Sequence, residues 1–131
     1  LGINELYSSN ISIEVEEFYN SPHELILWSD FIISRAGALS LSEAISLKRG
    51  SLMIPLPSAI DNHQLLNAKY ISDLDMGLIH TELESFKSLS QKLKHIIKKK
   101  LYLKWTKTET NLDHFQAAAT MLSSILKFKN I

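Results

Sequence analysis

The sequence predicts an α/β fold, a partial doubly wound parallel sheet followed by C-terminal helices, and three features point to it. Short apolar runs of strand character alternate with helix-like segments over residues 11–80. The run Ser34-Arg35-Ala36-Gly37-Ala38-Leu39-Ser40-Leu41-Ser42-Glu43 directly follows the apolar Phe31-Ile32-Ile33, breaks at a glycine and restarts as a helix. Beyond residue 84 the pattern is helical only. Strand and helix alternating at these lengths imply right-handed crossovers, which place ligands beyond the carboxyl ends of the strands.

The elements follow in order. Leu1 is not an initiator methionine and residues 1–8 read like the end of a helix already under way, so the chain is taken as a piece of a longer one. Residues 11–17 alternate and contain β-branched side chains, which predicts a first strand. Pro22 at a first helical position predicts a helix over residues 22–29. Residues 31–34 form the next strand, and Ser40 begins a helix over residues 41–48, with Ser40 and Glu43 spaced as a capping box. Residues 52–55 are a third strand, residues 62–73 a helix with Leu65, Leu66, Ala68 and Ile71 as its apolar positions, and residues 77–80 a weaker fourth strand. In the tail Leu89, Leu93, Ile96, Ile97 and Leu101 fall at helical spacing. A break is expected near residues 106–111 and a last helix over residues 113–128.

With 131 residues, 45% of them hydrophobic and only 4 Gly and 3 Pro, the composition fits one ordinary domain with a buried core. Residues 1–84 make its ligand-binding region and residues 85–131 a helical region of the same domain. No apolar run approaches the roughly 20 residues of a membrane-spanning helix, and no signal pattern opens the chain. The lack of cysteine excludes disulfides and thiolate-metal sites, and the 5 histidines show neither metal spacing nor a Ser-His-Asp order, so no metal and no cofactor are expected.

A net charge of zero hides an asymmetry: residues 1–84 carry 12 acids against 4 Lys or Arg, residues 85–131 carry 2 against 10. The plain reading of this basic tail is a solvated helix face offsetting an acidic neighbour. The functional reading is attraction to an anionic membrane surface. Nucleic acid is disfavoured as a partner because the other part of the chain is acidic and no aromatic-basic platform recurs.

Two blocks carry chemistry. A strand that ends at Gly37 and restarts as a helix directs free N–H groups, at the positive end of a helix dipole, into one small volume, which suits a diphosphate. Asp61-Asn62-His63-Gln64-Leu65-Leu66-Asn67-Ala68 offers amides that suit a neutral polyhydroxyl group. Together they imply a nucleotide-sugar site.

These blocks in this order, joined by Pro55-Leu56-Pro57, resemble the C-terminal, donor-binding half of the MurG family. Its members are bacterial glycosyltransferases that move N-acetylglucosamine from UDP-N-acetylglucosamine to a lipid-linked muramoyl-peptide in peptidoglycan synthesis. The resemblance is close over residues 11–80, and the tail fits by length and helicity. It implies a Rossmann-like sheet, the C-terminal domain of a GT-B-type inverting enzyme, working at the cytoplasmic face of the bacterial inner membrane as a peripheral protein.

By resemblance, the backbone N–H groups of Ala38, Leu39 and Ser40 meet the diphosphate, with Gly37 allowing close approach and Leu41 and Ser42 completing the segment. Glu43 binds the ribose hydroxyls, although a capping box with Ser40 explains the same residue. Gln64 contacts the sugar; Asn67 does so too or supports the loop. Arg35 either pairs with Asp30 or a nearby acid, or else shapes the loop or neutralises phosphate charge. Tyr19 stands where the family holds uracil through the backbone. Asp61 is expected at or near a helix N-cap and His63 as a partly exposed first-turn residue, neither as an acid or base.

The sequence departs from the family pattern at Lys48-Arg49-Gly50-Ser51, which lacks the proline of the usual turn, so a looser turn is expected. The family's acceptor loop, general base and apolar membrane patch belong to an N-terminal domain outside these residues. No catalytic residue is therefore assigned here. The first two strands of the C-terminal domain are missing too, which leaves a gap between the strand at residues 11–17 and that at 31–34. Other readings are a non-catalytic nucleotide-sugar-binding subunit that needs a membrane-bound acceptor partner, and an inactive remnant.

Overall fold

In the computed structural model, residues 12–57, 62–109 and 114–129 are described, without the side chains of residues 114–115 and 124–129. The expected helix over residues 1–8 lies outside them.

The elements run α1 (Pro22–Trp28), β1 (Ile32–Ser34), α2 (Ala38–Ser46), β2 (Ser51–Met53), α3 (His63–Asp73), β3 (Gly77–Ile79), α4 (Phe86–Lys98), α5 (Leu101–Lys107) and α6 (His114–Lys129). The three strands form a parallel sheet in the order β1-β2-β3, with Ile33 opposite Leu52 and Leu52 opposite Leu78. Alternation along β2 divides the core. Met53 joins Leu41, Ile45, Ala68, Ile71 and Met121 under α2, α3 and α6. Leu52 joins Ile96, Trp105, Phe31 and Leu78 under α4 and α5 on the opposite face.

The first strand is a correction. Residues 12–17 form no strand, and Val15 is 68% exposed. Period-two alternation marks a strand only where a neighbouring edge accepts its hydrogen bonds, and no partner pairs with these residues among those described. The predicted gap therefore moves to the outer edge of β1.

The start of α2 is a second correction. Its N-cap is Gly37, three residues before the expected Ser40, and no side chain caps it. Ala38 is itself buried and begins the stripe continued by Leu41 and Ile45, so packing sets the start of the helix. Ser40 lies exposed within the first turn, and there is no capping box with Glu43.

The tail breaks earlier than its periodicity predicts. Lys100 adopts φ 51°, which ends α4 and starts α5, leaving Leu101 on a new helix and Ile97 exposed. This turn lets Trp105 lie on the backbone before β2, where a Cβ on Gly50 would stand 2.2 Å from Trp105 Cε3. Nor is the turn before β2 a loose one. The Arg49 guanidinium donates to Ser29 O and Leu27 O at 2.9 Å and to Leu47 O at 3.2 Å, which ties the ends of α1 and α2 in place of the absent proline.

Candidate donor site at the carboxyl ends of the strands

All three strands run in one direction, so their carboxyl ends and the loops that follow share one rim of the sheet. After β1 the chain passes through Arg35, Ala36 and Gly37 into α2; after β2 it leads to α3. Two amide side chains on the first turns of α3 fix the first loop. Gln64 Oε1 accepts the Ala36 N–H at 3.2 Å and the Leu56 N–H at 2.8 Å, bridging the loops after β1 and β2. Asn67, 1% exposed, donates through Nδ2 to Ala36 O at 3.0 Å. The fully buried Ala36 is thus held at both its N–H and its carbonyl.

With this loop fixed, α2 points its amino end outward. Its first internal hydrogen bond runs from Leu41 N–H to Gly37 O at 3.0 Å, so helix geometry leaves Ala38, Leu39 and Ser40 without an acceptor inside the helix. These residues line a cavity of about 270 Å³ with Gly37, His63, Asn67 and Leu122. Gly37 has φ −70°, and no described atom lies within 4 Å of where its Cβ would stand, so neither backbone nor packing requires a glycine. Its lack of a side chain keeps the approach to the helix end open.

The structure therefore brings Gly37, Ala38, Leu39, Ser40 and Asn67 to one cavity, while Gln64 holds the loop that leads to it. Leu41 and Ser42 do not join them. Both are buried, the Leu41 N–H is used within the helix, and the Ser42 hydroxyl donates to Leu39 O at 2.9 Å. The apolar face of α2 turns both side chains inward. Glu43 is half-buried on the outward side of α2, one turn beyond Leu39, with no side-chain partner among the described residues.

Arg35 pairs with Glu82 and not with Asp30; its Nη1 also donates to Ile54 O at 3.3 Å, linking the carboxyl ends of all three strands. Tyr19 lines a separate cavity of about 370 Å³ with Trp28, Leu25 and Glu24 beside α1. Asp61 lies outside the described residues. His63, the first residue of α3, lines the α2 cavity, and Leu122 of α6 closes it. His63 was detectable as the neighbour of Gln64 on a helix's first turn; nothing local in the sequence brings α6 here.

Beyond β3 lies a charged cluster that the sequence reading did not single out. Glu84 accepts hydrogen bonds from Lys92 Nζ, from the Thr81 N–H at 2.7 Å and from Ser88 Oγ at 3.0 Å. The Lys92 hydrogen bond, then that from Thr81, holds its carboxyl at about 2, well below the usual value of 4.5. His80, buried beside it, has Nδ1 3.8 Å from Glu84 Oε2 and no hydrogen-bond partner for that nitrogen among the described residues. Among those residues no group of three or more His, Cys, Asp or Glu is placed to hold a metal ion.

The family model described as "Glycosyltransferase family 28 C-terminal domain" matches residues 2–122. A protein of Vesicomyosocius okutanii subsp. Calyptogena okutanii (strain HA) is 39% identical over 70 residues, covering 53% of this chain and 21% of that protein. It is named "UDP-N-acetylglucosamine--N-acetylmuramyl-(pentapeptide) pyrophosphoryl-undecaprenol N-acetylglucosamine transferase". A protein of the same name from Rickettsia massiliae (strain Mtu5) is 41% identical over 76 residues, covering 57% of this chain and 20% of that protein. The crystal structure of Acinetobacter baumannii MurG superposes with a TM-score of 0.73 at 26% identity, covering 91% of this chain and 35% of that one. The matched segments thus span about a fifth of the length of these curated relatives.

Proposed function

Because the chain belongs to the glycosyltransferase family 28 C-terminal domain family, we propose that it is the donor-binding part of an N-acetylglucosaminyltransferase acting in peptidoglycan synthesis. The donor is UDP-N-acetylglucosamine and the acceptor a lipid-linked muramoyl-peptide. The observation that carries this reading is the amino end of α2, whose Ala38, Leu39 and Ser40 open onto a cavity shared with His63 and Asn67.

In this reading the free N–H groups and the positive end of the helix dipole receive the diphosphate. Glu43 accepts from the ribose hydroxyls, which suits a carboxylate with no side-chain partner among the described residues. The Nε2 of Gln64 donates to the sugar while its Oε1 keeps the loop bridge. Tyr19 meets the uracil through its backbone, and Arg35 shapes the loop through Glu82 and Ile54.

The transfer is a displacement with inversion. An acceptor hydroxyl oxygen forms a bond to the anomeric carbon, the bond from that carbon to the phosphate oxygen breaks, and UDP leaves with the electron pair. Negative charge grows on the leaving diphosphate, and the amino end of α2 stabilises it there. The hydroxyl proton goes to a base outside these residues. A lipid-linked acceptor puts the reaction at the cytoplasmic face of the inner membrane; among the described residues no helix is long and apolar enough to cross it.

Calorimetry on the full-length protein tests the reading. UDP and UDP-N-acetylglucosamine are expected to compete for one site, with UDP supplying most of the affinity. Equal binding of ADP and UDP would remove the uracil-specific part, and no binding of either nucleotide would remove the whole.

A further inference from the structure

The outer face of α4 presents a charge pattern that the donor site does not use. Residues 85–108 contain eight lysines and no acid. Lys92 is turned inward to Glu84 and Lys104 pairs with Asp75, but the other six are exposed. On α4 itself Lys87, Lys94 and Lys98 recur at seven- and four-residue intervals and form one stripe, continued by Lys99 and Lys100 at the turn into α5.

Two large apolar side chains border the stripe. Phe86 is 83% and Ile97 57% exposed. Eleven residues apart, they lie within about 20° of each other around the helix, beside the lysines. The opposite side of α4 is anchored: Ile96 is buried, with Leu89 and Leu93, in the cluster containing Leu52 and Trp105. The helix therefore shows solvent a fixed surface of lysines edged by exposed Phe and Ile. A solvated face accounts for the lysines, but not for two bulky apolar groups exposed beside them. A phosphodiester backbone would use the lysines and leave Phe86 and Ile97 unused. A lipid surface uses both, with ammonium groups on anionic headgroups and apolar side chains below them.

We propose that this face of α4, Phe86 and Ile97 together with Lys87, Lys94 and Lys98, docks on an anionic lipid surface. None of these residues lines the α2 cavity, so the docking face is distinct from the donor site.

The test is co-sedimentation of the full-length protein with phosphatidylglycerol-containing and pure phosphatidylcholine vesicles, with UDP affinity measured in parallel. Replacing all three of Lys87, Lys94 and Lys98 with Gln is expected to weaken partitioning onto anionic vesicles on the order of 100-fold, while UDP affinity is unchanged. The corresponding triple Arg variant keeps the binding. Phe86→Ser with Ile97→Ser is expected to lose about tenfold or more. Anionic-vesicle binding as tight in the Gln triple or the Ser pair as in the parent overturns the proposal. So does a loss in the Arg triple, or tight binding of a single-stranded oligonucleotide that the Ser pair leaves unchanged. A wild-type protein that binds vesicles but no UDP sinks the donor reading alone.

Discussion

Gln64 Oε1 accepts the N–H of Ala36 at 3.2 Å, so a side chain read from the sequence as a sugar contact also holds the loop that leads into α2. The same oxygen takes the Leu56 N–H at 2.8 Å. Gln64→Ala would leave two backbone donors unpartnered, one of them on the buried Ala36, at a cost of about 1–3 kcal/mol each where water cannot reach. The expected result is a lower melting temperature together with weaker UDP binding. A variant that loses only turnover with the sugar nucleotide, at full stability and UDP affinity, would show that the bridge is dispensable.

Glu43→Ala separates the ribose role from helix capping. With the N-cap at Gly37 and no side-chain cap on α2, stability should change by no more than about 0.5 kcal/mol, as at other surface positions. UDP affinity should fall by about 1–3 kcal/mol if the carboxylate accepts from the ribose hydroxyls. Calorimetry beside thermal unfolding reads both. A fall in stability with unchanged affinity would return Glu43 to a structural role.

Gly50→Ala tests how α5 is seated. The new Cβ would fall 2.2 Å from Trp105 Cε3, and the indole is packed between Leu52 and Phe31. Overpacking of this kind costs about 1–3 kcal/mol. Since the other tryptophan, Trp28, is largely exposed, the blue-shifted part of the fluorescence reports on Trp105 and should shift red. Unchanged emission and melting would mean that α5 moves aside without cost.

How much of this was legible in the sequence depended on whether the cause was local. Phe31-Ile32-Ile33 and the glycine after it marked β1 and the turn into α2, because a short apolar run broken by glycine has few other uses. Residues 12–17 carried the same alternation without a paired edge, and edges are not written in a strand's own residues. Ser40 and Glu43 had the spacing of a capping box, but burial of Ala38 against α6 and the sheet outweighed a local hydrogen bond. The role of Asn67 as a loop support was left open in the sequence and is now visible in its bond to Ala36 O. The contribution of Leu122 to the cavity depended on a contact between distant helices.

Glu84 gives a pH dependence with a defined sign. Its carboxyl titrates at about 2 in the folded protein, against 4.5 without its partners, chiefly because of the hydrogen bond from Lys92. A lowered folded value means that the charged form favours folding. This contribution is complete above pH 4.5 and is lost as the pH falls from there to about 2. The group is partly exposed, so solvent and salt screen the pair and the effect is modest. Melting temperatures measured down this range should fall less steeply in Glu84→Gln than in the parent. Equal slopes would show that the Lys92 pair adds nothing.

The outer edge of β1 sets the last expectation. β1 pairs only with β2 among the described residues, and Ile33 at its centre is 50% exposed, with Val15, Phe18 and Trp28 also largely in solvent. An unpaired edge flanked by apolar side chains is a template for another strand. The family resemblance implies two further strands on this side. Residues 1–131 alone should therefore self-associate or melt with poor cooperativity and show no transferase activity. The same residues joined to the chain that supplies those strands should be monomeric and melt sharply. The deficit is comparable to the roughly 5–15 kcal/mol that keeps an ordinary domain folded. Size-exclusion chromatography beside thermal unfolding of the two forms decides it. A monomeric, cooperatively melting 131-residue protein would mean that the edge of β1 is covered by the chain's own residues.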